Sequence, residues 1–128
     1  MSTIVKPFIE PELLKNLQTE IAVEQQVIVH CCFKNNFAFG MLIRIWQTTY
    51  LLDTQSEHKS KLLFADNICF NPDWVEVPLV ENYYFTLIFS GLPKDCTFFD
   101  FAEIIPESGG FYVPKIERNK TDVYNINI

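Results

Sequence analysis

The chain has 128 residues, of which 48% are hydrophobic and 15% aromatic, with a formal net charge of −6. That length fits one domain with one core, and twelve Phe, five Tyr and two Trp suit pleated, half-buried surfaces better than a helical bundle. The acidity and the lack of any Lys/Arg cluster argue against a nucleic-acid backbone and an anionic membrane surface as partners.

The first residues, MSTIVKPFIEPELLKNLQ, lack a charged segment followed by an apolar one, and Arg44 interrupts the best apolar run. Neither a secretory signal nor a spanning helix is therefore read, and a cytoplasmic protein is expected. Pro11 followed by Glu-Leu-Leu-Lys-Asn-Leu-Gln predicts a short helix with Pro at its first position, and Glu10 and Glu12 complement its dipole. Phe8, Leu13, Leu14 and Leu17 make residues 1–19 an apolar docking segment, and residues 20–128 are the candidate folded domain.

From Ile21 the pattern changes to period 2, with Ile21, Val23, Val27, Val29 and Cys31 on one side and Glu24, Gln26 and His30 on the other. After a Lys-Asn-Asn turn, Phe37, Phe39, Met41, Ile43 and Ile45 alternate with Ala38, Gly40, Leu42, Arg44 and Trp46, which predicts the longest strand of the chain. Shorter strands are expected at 62–65 and 74–77. The run 83–103, YYFTLIFSGLPKDCTFFDFAE, reads as a strand, a tight corner and a returning strand whose arms cover one core. The last strands fall at 111–116 and 122–128, where Tyr124, Ile126 and Ile128 alternate with Asn125 and Asn127. Roughly seven to nine short strands with regular turn signals predict an all-β, immunoglobulin-like antiparallel sandwich. Its expected core is Phe39, Met41, Ile43, Phe85, Leu87, Phe89, Phe99 and Phe101.

Within this pattern Leu42-Ile43-Arg44-Ile45, Thr49-Tyr50-Leu51-Leu52-Asp53, Lys61-Leu62-Leu63, Ile68, Trp74, Phe85-Thr86-Leu87-Ile88-Phe89 and above all LIF-x-GLPKD-x4-DF-x-E resemble a small β-sandwich domain common in Bacteroidetes proteins. In that group the domain often precedes a thioredoxin-like or other catalytic module. The resemblance covers about residues 20–118 and implies a non-catalytic role for the sandwich; it transfers no active-site residue.

Candidate chemistry is sparse. His30 and Cys32 share a strand face whereas His30 and Cys31 diverge, and no third group is placed beside them by the sequence. The four Cys and two His lack paired spacing, so no metal or cofactor is expected and the thiols read as reduced, structural residues. Asp95, Asp100, Glu103 and Glu107 are spread over a strand with aromatics between them, unlike a calcium loop. Glu103 falls in phase with Phe99 and Phe101, which predicts either a hydrogen-bonded buried acceptor or, as the preferred reading, a bulge near Ala102.

Trp46, with Arg44 on the same side, forms a candidate aromatic platform for a glycan or peptide, to which Trp74, Tyr83, Tyr84 and Tyr112 are further candidates. The expected function is a non-enzymatic protein–protein interaction module or accessory subunit, with self-association as one form. Its expected contacts are Phe8, Leu13, Leu14, Leu17, Tyr124, Ile126 and Ile128. The alternatives are a glycan- or peptide-binding sandwich and, below it, a small enzyme using His30, Cys32 or Glu103.

Overall fold

The computed structural model describes residues 25–36, 39–78 and 82–128. The expected helix and docking segment, with Phe8, Leu13, Leu14 and Leu17, lie outside these residues. The described residues form nine strands: β1 (Val27–Lys34), β2 (Met41–Ile43), β3 (Thr49–Asp53), β4 (Lys59–Asp66), β5 (Val75–Val77), β6 (Asn82–Phe89), β7 (Phe98–Glu103), β8 (Tyr112–Glu117) and β9 (Val123–Asn127).

Seven strands make one sheet in the order β8-β7-β3-β4-β6-β1-β9, and β2 pairs with β5. All neighbours are antiparallel except β1 and β9, which run parallel. The sheet changes partner along β4. Its first residues, Lys59 to Lys61, pair with β3, while Leu62 to Asp66 pair with β6 across a register shift between Leu62 and Phe64. A bulge sharpens twist and lets a strand change layer.

Folding about β4 brings the two halves face to face. Phe101 of β7 meets Phe89 of β6 edge-on at 6.0 Å, and Phe99 of β7 meets Tyr124 of β9 at 4.9 Å. The result is an all-β, sandwich- or barrel-like unit in which β3 and β6 are joined through β4, and β8 and β9 are the edge strands among the described residues.

Alternation decides which residues fill it. Val27, Val29, Cys31, Phe85, Leu87, Phe89, Phe99 and Phe101 point inward and are almost wholly buried. The corner at Gly91 to Asp95 does not close a hairpin, because β7 pairs with β3 and β8 and not with β6. It carries the chain between layers, so the two arms cover one core from opposite sides.

Of the expected long strand over 37–46, residues 37 and 38 lie outside the described residues, and the rest contributes only Met41–Ile43, with Ile45 in an isolated bridge to Phe70. Its backbone groups are bonded elsewhere: the Ile45 N–H donates to the Cys69 carbonyl, and the Trp46 N–H donates to the Glu103 carboxylate. Phe39, expected in the core, is 62% exposed, and Met41 is only half-buried. The buried Asn35 amide donates to the carbonyls of Phe39 and Pro78, fixing a bend at Phe39 in place of a strand.

Candidate binding groove

Where β1 ends, β2 begins and β7 gives way to β8, the surface dips into a cavity of about 360 Å³. Phe33, Ile43, Trp46, Trp74 and Phe111 supply apolar walls, with Arg44 and Glu103 among them. A mainly apolar hollow with few convergent polar groups is the usual form of a binding site.

Arg44 is placed by stacking. Its guanidinium carbon lies 3.8 Å from the centre of the Trp74 ring and 5.7 Å from that of Trp46, and its Nη1 donates to the Pro72 carbonyl at 3.2 Å. Among the described residues the one ion pair joins Arg118 to Asp122, so Arg44 pairs with no carboxylate there. Its remaining N–H groups are held over an aromatic face beside the groove.

Glu103 is the hinge of the site. One carboxylate oxygen accepts the Trp46 N–H at 2.9 Å and the other accepts the Phe111 N–H at 3.1 Å. Burial pushes its pKa up, against the opposing pull of those two N–H groups and the Arg44 charge. Gly110 permits the close approach, since a Cβ there would collide with the Glu103 carbonyl oxygen.

The expected bulge near Ala102 is thus corrected. Ala102 keeps its register with Tyr50 and Tyr112, and the irregularity falls between Phe99 and Phe101, opposite Pro114 and Lys115. Lys115 has φ 53°, and its N–H donates to Asp100 at 2.9 Å, so the extra residue lies on β8. Glu103 is the hydrogen-bonded acceptor of the other reading.

His30 and Cys32 lie elsewhere, on the outer face of β1, in a separate cleft of about 920 Å³ with Tyr84, Thr86, Asn125 and Asn127. The His30 Nδ1 is hydrogen-bonded to the Thr86 hydroxyl at 2.8 Å. Glu103 lines the groove and not this cleft, so the candidate set His30, Cys32 and Glu103 is not brought together. Among the described residues no group of three or more His, Cys, Asp or Glu is placed to hold a metal, and no helix is long and apolar enough to cross a membrane.

All four cysteines are free thiols. Burial, with Cys32 alongside, pushes the Cys31 thiol up to about 12, and burial, with Asp53 alongside, pushes Cys96 up to about 11. A maleimide at neutral pH should therefore label the half-buried Cys32 and Cys69 quickly, and Cys31 and Cys96 only on unfolding. Peptide mapping after timed labelling reads this directly; early labelling of Cys31 would contradict its burial in β1.

The expected contact residues of β9 are divided by the alternation. Tyr124 and Ile126 are 5% and 8% exposed and belong to the chain's own core, whereas Ile128 is half-buried. Of the wider aromatic set, Trp46 and Trp74 share Arg44. Tyr84 belongs to the outer cleft, the Tyr83 hydroxyl donates to the Asn67 carbonyl, and Tyr112 stands on β8 with its hydroxyl on Asp100. Phe33 and Phe111, whose rings meet at 6.0 Å, had no sequence signal for the site because they come from distant strands. Comparison of the chain with family models, curated proteins and solved structures returns no match.

Proposed function

We propose that this chain is a non-enzymatic protein-interaction module, an accessory subunit of immunoglobulin-like build, whose groove receives an apolar side chain from a partner polypeptide. The observation that carries this reading is Arg44, stacked on Trp74 beside an apolar hollow and without a carboxylate partner among the described residues. Trp and Arg dominate the energetics of protein contacts when they surround a desolvated pocket, and a guanidinium with N–H groups to spare donates them to the carbonyls of an incoming backbone. Around the groove, Leu42 and Trp74 are 56% and 50% exposed, extending its apolar surface. The largely antiparallel sheet, with Phe101 of β7 packed against Phe89 of β6, supports the immunoglobulin-like assignment, and the four free thiols support a reducing, cytoplasmic setting.

The glycan reading has less support. Sugars stack on open aromatic faces, and one face of Trp74 is already covered by Arg44. Panning a displayed random-peptide library against the purified chain tests the proposal. Selected peptides should share an apolar or aromatic anchor and lose about thirtyfold in affinity against Trp74→Ala, the scale of a hot-spot residue. Peptides that bind native and Trp74→Ala protein equally would place recognition elsewhere.

A further inference from the structure

Among the described residues the sheet ends in two edge strands, β8 and β9, and they are unlike. On β8, Pro114 has no N–H to offer, the Lys115 N–H is taken by Asp100 at the bulge, and Lys115 and Glu117 add charge. These are the devices by which edges resist pairing. On β9, Val-Tyr-Asn-Ile-Asn, there is no proline, no charged residue and no register shift against β1.

The backbone groups that β9 presents can be identified. The Ile28 N–H donates to the Asp122 carbonyl at 2.9 Å, and the Ile128 N–H donates to the Cys32 carbonyl at 3.0 Å. Residues alternate in a parallel ladder, so Tyr124 and Ile126 also bond toward β1, and Val123, Asn125 and Asn127 direct their N–H and C=O away from β1. Those of Val123 are already occupied: its N–H donates to the Thr121 hydroxyl at 3.3 Å, and its carbonyl accepts the Asn119 amide at 2.9 Å. Among the described residues, those of Asn125 and Asn127 have no partner.

We propose that β9 pairs antiparallel with β9 of a second copy of this chain, about a twofold axis through Ile126. This surface is independent of the groove. In that register Asn125 lies opposite Asn127 of the second copy, and the N–H and C=O of each meet a counterpart. The side-chain amides of both asparagines stand exposed on the same outer face, where each matches the other as donor and acceptor. Ile126, turned into the core, approaches its equivalent on the inner face and continues the apolar layer. A chain of charge −6 repels its own copy over most of its surface, but 123–128 carries no charged residue. That local neutrality favours self-pairing over a basic partner, for which 123–128 offers no acidic side chain. The strand is short, so association is weak and depends on concentration.

Sedimentation velocity of the full chain across about a hundredfold range of concentration tests this by mass action. Native protein should pass from monomer to dimer. Asn125→Pro removes an outward N–H and should stay monomeric throughout with an unchanged circular dichroism spectrum and melting temperature. Asn127→Lys, which leaves the backbone intact, should weaken the dimer by about tenfold or more through charge repulsion across the axis. Trp74→Ala should dimerise as native protein does. A native chain monomeric at every concentration overturns the proposal. If the Asn125 and Asn127 amides of such a monomer are also protected from hydrogen exchange, the edge is covered within one chain. Native-like dimerisation of Asn125→Pro, or loss of the dimer in Trp74→Ala, overturns it as well.

Discussion

Phe85→Ala should lower the stability of the chain by about 3–5 kcal/mol, the range for truncating a buried aromatic. Phe85 is 2% exposed and lies in the middle of β6, between β1 and β4 in the sheet. It pairs with Cys31 across the ladder and packs against Tyr83 at 6.5 Å. Removing the ring forfeits its transfer from water and leaves a cavity. Neighbours held by the β1–β6 ladder, and by the β4 ladder that ends at Thr86, cannot collapse to fill it. Urea unfolding at constant slope measures the change, with Phe64→Ala as the control. Phe64 is 55% exposed, so its loss should be roughly 0.5 kcal/mol or less. A loss below about 1 kcal/mol for Phe85→Ala would place the ring at the surface and break the register of β6.

The same ladder shows what the sequence makes legible. Phe85, Leu87 and Phe89 alternate in β6, Phe99 and Phe101 in β7, and Tyr124 and Ile126 in β9, and all of them face inward. Over 39–46 an equally regular alternation misleads. Periodicity records which side chains are apolar, but a strand also needs a neighbour for its backbone, and here the N–H of Trp46 goes to a carboxylate from β7. The groove was only half legible for a similar reason. Arg44 and Trp46 share one side of an alternating run, yet Trp74 and Phe111 reach them only through the fold. Glu103 stood out by its phase with Phe99 and Phe101, while the donors that explain it, on Trp46 and Phe111, are far away in sequence.

The second large effect is expected where the edge strands β8 and β9 are joined. Arg118, just after β8, holds Asp122, just before β9, in a forked pair: Nε to Oδ1 at 2.6 Å and Nη2 to Oδ2 at 3.0 Å. Its Nη1 also donates to the carbonyls of Pro93 and Cys96, so one guanidinium joins the β8–β9 turn to the corner between layers. Asp122 is 5% exposed, has φ 55° and accepts the Tyr124 hydroxyl at 2.8 Å. Arg118→Ala should therefore cost about 3–5 kcal/mol, because it strands a buried carboxylate and leaves two carbonyls without their donor. Most of that loss belongs to the stranded charge and not to the attraction between the partners. Arg118→Met combined with Asp122→Asn should then recover a large part of it, since asparagine tolerates the left-handed backbone and still accepts from Tyr124. Arg118→Lys keeps the charge but not the planar fork, and should fall between native and Arg118→Ala. Chemical unfolding of the single and double variants reads the coupling. If the double variant is no more stable than Arg118→Ala, the cost lies in the lost carbonyl contacts at Pro93 and Cys96, and the fork is not what ties β8 to β9.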